Sequence, residues 1–166
     1  MKNRHHQKRN NIIKQKTMIE SLIFQTNWGT KRIYDSPEDS ITEIVKTELD
    51  CIVELNLFED LLMIKKFVDD VKSTFSTEPV AERGDFCNSL VAHALGIAHK
   101  NETTELSTPA YWPKLAEKKI LSIYYTNDIR NTIVDYAKQN GYNISTYLGK
   151  PIIKLSKIFV LLDRIK

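Results

Sequence analysis

Apolar residues first gather at Ile12 and Ile13 and continue through Met18, Ile19, Leu22 and Ile23, a spacing that predicts an amphipathic helix. Asn27-Trp28-Gly29 reads as its end. Ser36-Pro37-Glu38-Asp39 reads as the next helix start, with Ser36 as N-cap, Pro37 at the first position and acids in the first turn. Ile41, Ile44, Val45, Leu49, Ile52 and Leu55 then keep a helical period. Leu57, Leu61, Ile64, Val68 and Val71 form a second stripe, with Asp69, Asp70 and Lys72 outside it. Both stripes read as core-facing helix surface.

A polar connector, residues 74–84, holds Pro79, and residues 86–97 form a further helical apolar run stopped by Gly96. Residues 100–113, with Pro109 and Pro113 and no periodicity, read as a loop. The segment 120–125, Ile-Leu-Ser-Ile-Tyr-Tyr, is the strongest strand signal. Asn127 or Asp128 caps a helix carrying Ile129, Ile133 and Tyr136, and Gly141 ends it. Residues 143–148 fit a short second strand. Residues 150–165 read as a closing helix, with Ile152, Leu155, Phe159 and Leu162 inward and Lys150, Lys154 and Lys157 as a basic stripe. The class is α+β, predominantly helical, with a basic flexible arm over 1–19 and a single domain over 20–166.

At 166 residues and 42% hydrophobic content, the chain has material for one real core. The formal charge of +3 permits a nucleic-acid partner without demanding one. Its distribution says more. Lys2, Arg4, Lys8, Arg9, Lys14 and Lys16 fall in the first sixteen residues with no acid among them, a solvated block with a general attraction for polyanions. No stretch approaches the roughly 18 apolar residues that span a bilayer, so no membrane partner is expected. The basic start leads into no apolar signal core. Cys51 and Cys87 form no CxxC pair and read as free thiols, which points to the cytoplasm.

Four segments, in order, resemble one family. Residues 48–58, Glu-Leu-Asp-Cys-Ile-Val-Glu-Leu-Asn-Leu-Phe, are similar to its E-L-x-x-I-x-x-M-G-F. Residues 83–97, which open with Arg83-Gly84-Asp85 and include Ser89, are similar to R-G-S-x-x-G-S-L-V-A-Y-x-L-G-I. Residues 130–141, with Val134-Asp135-Tyr136, are similar to R-x-x-V-I-D-Y-x-x-x-x-x-G. Residues 144–165 resemble I-I-T-F-G-T-x-x-A-K-A-A-L-R-D-V-G-R-V-L. The family is the alpha subunit of bacterial DNA polymerase III, the C-family replicative polymerases, and the match covers its palm region. The resemblance implies a palm-like, nucleotidyltransferase-type core and an association with DNA replication. Family members are several times longer, and their third metal-binding acid lies well downstream of the point where this chain ends.

The same resemblance implies that the chemistry is lost. The family holds Mg²⁺ on the alternating acids of a P-D-I-D-x-D-F strand, since two-metal phosphoryl transfer needs hard oxygen ligands on one face. Aligned through Arg130, those acid positions become Ile120, Ser122 and Tyr124. The family's R-G-S presents backbone N–H groups, a hydroxyl and a helix N-terminus to the triphosphate. Arg83 and Gly84 remain here, but Asp85 replaces the serine. A carboxylate about 4 Å from each phosphate charge costs on the order of 4 kcal/mol at an effective dielectric near 20. Asp85 then reads as the N-cap of the helix from Phe86. Ala81, Glu82 and Asn88 stand where the family has glycines. The degenerate nucleotide site comprises Arg83, Gly84, Asp85 and Ser89. No cofactor, metal site or catalytic residue is expected.

Nucleic-acid contact falls to Lys150, Lys154 and Lys157 together with Arg4, Lys8, Arg9 and the rest of the arm. DNA and replication proteins are the implied partners. Other chemistry is poorly served. Cys87 and His93 fall on different helix faces, His5, His6, His93 and His99 lack metal-ligand spacing, and Ser89 sits in no G-x-S-x-G turn. Trp28, Tyr111 and Trp112 are candidates for base stacking. Two rival readings stay open. One is an active nucleotidyltransferase fragment recruiting Asp69, Asp70, Asp128 or Asp135. The other is a small helical regulator that binds a protein partner.

Overall fold

The computed structural model describes residues 2–99 and 107–165. Along them run α1 (Lys2–Tyr34), α2 (Asp39–Glu54), α3 (Phe58–Phe75), α4 (Leu90–Ala94) and α5 (Tyr111–Lys118). There follow β1 (Ile120–Thr126), α6 (Asn127–Gln139), β2 (Ile144–Tyr147), β3 (Lys150–Lys154) and β4 (Phe159–Ile165). The class is α+β. No described helix is long and apolar enough to cross a membrane.

The helical stripes of α2 and α3 are buried as their periodicity demands: Val45, Leu49 and Ile52 on one, Leu61, Ile64, Val68 and Val71 on the other. The start of α2 differs from expectation. Ser36 and Pro37 lie in the turn that leaves α1 through Asp35 at φ 48°, and the N-cap is Glu38, without a side-chain cap bond. Helix α1 differs more, because it runs unbroken through Asn27-Trp28-Gly29. Gly29 is a contact, not a stop. A Cβ there would lie 1.9 Å from the carbonyl oxygen of Ala94, so only hydrogen lets α4 lie against α1.

The apolar run over 86–97 is not one helix. Residues 85–88 turn, and α4 begins at Leu90 with Ser89 as its cap, the Ser89 hydroxyl accepting from the Ala92 N–H at 3.0 Å. Asp85 therefore caps no helix. Part of the expected loop over 100–113 is α5; residues 100–106 lie outside the described residues. Pro113 is compatible with α5 because it sits in the first turn, where its missing N–H has no intrahelical acceptor to lose. Helix α6 is entered from Thr126 rather than capped by Asn127 or Asp128, and Gly141 follows its end as expected.

The largest correction is at the C-terminal end. Residues 150–165 form β3 and β4, not a helix. The sheet has the order β1-β4-β3-β2, with β1 and β4 parallel and the other pairs antiparallel. Leu148 and Gly149, at φ 49° and 77°, turn β2 into β3 in the manner of a two-residue hairpin. Along β4, Val160 and Leu162 are buried while Phe159 and Leu161 are half-buried, which is strand alternation. The link from β3 to β4 is held from α3: the carboxylate of Asp60 accepts the N–H groups of Ser156, Lys157 and Ile158 at 3.0, 2.7 and 2.9 Å.

One core joins the layers. Leu121, Ile123 and Tyr125 of β1 and Val160 and Leu162 of β4 pack with Ile133, Val134 and Ala137 of α6 and with the stripes of α2 and α3. The other face of the sheet, with Ile120, Ser122, Tyr124, Phe159 and Leu161 half-buried, stands outside that core.

Candidate nucleic-acid interface

The three strand positions Ile120, Ser122 and Tyr124 share the open face of β1, in alternation with the buried Leu121, Ile123 and Tyr125. The structure brings Gly84 and Asp85 to them. The Asp85 N–H donates to the Ser122 carbonyl at 3.1 Å, and the Ser122 N–H donates to Asp85 Oδ2 at 2.7 Å. Val80 N–H reaches the Tyr124 carbonyl at 2.7 Å, so residues 80–85 cover this outer edge of β1. Gly84 is required for that approach. Its φ is +95°, and a Cβ would lie 2.5 Å from the Ser122 oxygen.

Asp85 is thus an anchor. Its second oxygen takes the Lys118 ammonium at 2.7 Å, and its carbonyl accepts from the Tyr111 hydroxyl. This carboxylate is committed to a backbone N–H and a lysine. Arg83 is exposed beside it. The one acid on the open face of β4 near this place is Asp163, which pairs in register with Tyr124 and takes Lys150 at 3.0 Å. Burial raises its pKa, but the Arg164 N–H, Lys150 and the charge of Arg130 outweigh that and hold it below the ordinary aspartate range.

Ser89 belongs to a different centre. Its hydroxyl donates to Glu48 Oε1 at 2.5 Å, Trp112 Nε1 donates to the same oxygen at 2.8 Å, and the Leu90 N–H donates to Oε2 at 2.8 Å. Glu48 is 4% exposed. Burial pushes its pKa up despite these donors. The arrangement ties α2, the start of α4 and α5 together through one buried carboxylate. The role of Glu48 was missed from the sequence, although an acid inside the stripe Val45–Leu49–Ile52 is the signal that could have found it. Asp60 beside Leu61 carries the same signal.

The basic arm is the exposed N-terminal half of α1. Every residue from 3 to 17 is exposed, Arg4, Lys8, Arg9, Lys14 and Lys16 among them. At 1.5 Å per residue this stretch spans about 22 Å. Residues 1–19 hold six cations and no acid, so the remaining 18 cations face 21 acids, a net of −3 on the rest of the chain. Cations at a helix N-terminus also oppose its dipole. The expected helical stripe does not form, because residues 150–165 form β3 and β4, although Lys150 and Lys154 share one face of β3. Lys150 and Lys154 project from β3, with Lys150 engaged by Asp163, and Lys157 lies in the β3–β4 link.

A cleft of about 640 Å³ opens between α1, α3 and residues 93–99, and Phe24, Trp28 and Arg32 of α1 line one wall. Trp28 is 67% exposed, whereas Trp112 is 1% exposed and engaged with Glu48. Tyr111 is half-buried against Trp112.

The rival acids are scattered. Asp69 pairs with Lys65, Asp70 with Lys66 and the Tyr142 hydroxyl, Asp128 lies in the first turn of α6, and Asp135 is exposed on it. Among the described residues no three His, Cys, Asp or Glu side chains gather. Both cysteines are free, and burial raises the pKa of each, reinforced by Glu54 and Glu48 at Cys51 and by Asp85 and Glu82 at Cys87. The upward shift favours the protonated thiol over the thiolate at both. The chain matches no protein-family profile and no curated protein sequence.

Proposed function

We propose that the protein is a nucleic-acid-binding module of the cytoplasm, a palm-like domain related to the DNA polymerase III alpha subunit that serves DNA replication without polymerising DNA. The observation that carries the binding is the charge at the start of α1: six cations and no acid over residues 1–19 against a net of −3 on the rest of the chain, with Arg4, Lys8, Arg9, Lys14 and Lys16 exposed. A polyanion laid along this half neutralises the crowded cations and the helix dipole together. Against catalysis stand Ile120, Ser122 and Tyr124 on β1 and the commitment of Asp85 to Ser122 and Lys118.

The test is fluorescence anisotropy of a labelled oligonucleotide titrated with the whole protein at several salt concentrations. Contact by all six cations gives a slope of log K against log salt of about −4 on a single strand. Replacing Arg4, Lys8, Arg9, Lys14 and Lys16 by Gln flattens that slope and removes most of the affinity. A slope unchanged by these replacements sinks the assignment of the interface. No binding of any oligonucleotide sinks the function and leaves the protein-binding regulator. Metal-dependent primer extension would overturn the non-polymerising part.

A further inference from the structure

We infer that the cleft beside α1 is a stacking site for the bases of single-stranded nucleic acid, with Phe24 and Trp28 as its platforms and Arg32 as its phosphate contact. The inference rests on the nucleic-acid reading above and deepens it, because α1's cations do not by themselves distinguish a single strand from a duplex.

Phe24, Trp28 and Arg32 recur every four residues, so they form one row along the helix with about 6 Å between neighbours. Phe24 is 70% and Trp28 67% exposed, and all three line the same cleft. Two neighbouring aromatic rings left in water on a helix whose other side is buried offer flat apolar surface to a covering group. Unpaired bases supply flat apolar surface at a spacing an extended strand can match, whereas duplex bases are already stacked on one another.

The charges around the row suit a phosphodiester chain. Asp69 and Glu78 also line the cleft, but each is paired, Asp69 with Lys65 at 2.5 Å and Glu78 with Lys72 at 2.7 Å and His99 at 3.4 Å. Among the described residues Arg32 makes no salt bridge, although its charge acts on Glu78, and Arg32, Lys65 and Lys72 leave the cleft one cation in excess over Asp69 and Glu78. The row lies on the same helix as the basic stretch, so a strand leaving Phe24 toward the N-terminus passes the exposed Glu20, the next position at this spacing, and then reaches Lys16.

The two tryptophans make the test direct. Trp112 is shielded, so quenching of the protein's fluorescence by an added oligonucleotide reports Trp28. Oligothymidine is expected to quench it, and a hairpin duplex of equal charge to bind without comparable quenching. Trp28→Phe abolishes the quenching signal. Trp28→Ala and Phe24→Ala each weaken oligothymidine binding by about 5- to 150-fold, the range that loss of one stacked base gives. Their salt slope stays that of the wild type, because no charge is removed. Both rings are exposed, so unchanged thermal midpoints certify the fold of these variants. Oligothymidine binding with a steep salt slope but no quenching, or with wild-type affinity in both alanine variants, overturns the stacking site and leaves the α1 interface standing. If the wild-type protein binds no oligonucleotide, both fall together.

Discussion

Residues 3–17 of α1 are exposed on every side, whereas Leu22, Thr26, Gly29 and Thr30 of the same helix are buried beneath α3 and α4. The two halves are joined by continuous helix, but different physics governs each. In the second half the chain is held by van der Waals contact so close that Gly29 has no room for a methyl group. In the first half nothing is packed, and its composition is free to serve charge. A helix of this kind couples a rigid attachment to a flexible choice of surface chemistry. Stability and the electrostatic share of binding should therefore separate along it.

Gly29→Ala gives the largest effect on stability. Its Cβ meets backbone rather than a side chain that can turn aside, so a cost of about 3 kcal/mol is expected. For a chain of this size that lowers Tm by roughly 6–12 °C. The five Gln replacements in the first half leave Tm within the shift of about 0.5 kcal/mol typical of surface changes. A neutral Gly29→Ala would mean that α4 does not rest on α1 as described, and the contrast between the halves would disappear.

Glu48 sharpens the contrast from the body's side, being an acid kept inside while the cations stay out. Glu48→Gln keeps the shape but sets an amide N–H₂ among donors, costing about 1–3 kcal/mol at neutral pH. Because burial raises the folded-state pKa above the ordinary 4.5, the folded state holds the proton more tightly than the unfolded state. The associated stability is fully present below the unfolded value and is lost as pH rises through the folded one. Thermal melts over that window should show a decline that Glu48→Gln removes. Equal pH profiles for the two proteins would show that Glu48 is not the group responsible.

The smallest effect concerns the β2–β3 turn, remote from α1. Leu148 is 85% exposed at φ 49°, a conformation that costs a leucine about 1 kcal/mol or more. Leu148→Asn should raise Tm by about 2–4 °C and leave oligonucleotide binding unchanged. A lower Tm would mean that the leucine packs against something in solution.

Much of this fold was legible along the chain. The stripes of α2 and α3, the strand at β1, the helix ended before Gly141 and the short β2 all follow from periodicity and turn residues within a few positions of each other. The C-terminal segment was not. Ile152, Leu155, Phe159 and Leu162 fit a helical face, yet Leu162 also alternates with Leu161 as in a strand. Pairing of Val160 with Leu121 and Ile153 settled it. That parallel partner lies far away in sequence, and no local propensity encodes it. Gly29 misled for a similar reason, since a glycine that ends a helix and one that admits a neighbour look alike until the neighbour is placed.

The candidate site divides in the same way. The sequence by itself determined the cations of residues 1–19 and the lack of acids at Ile120, Ser122 and Tyr124, because charge and residue type are properties of the chain. Only the tertiary structure decided that Asp85 binds Ser122 instead of capping a helix, that Ser89 serves Glu48, and that Phe24, Trp28 and Arg32 share one open wall while Trp112 is sealed. Which groups a side chain meets, and whether water reaches it, depends on segments brought together from distant parts of the chain.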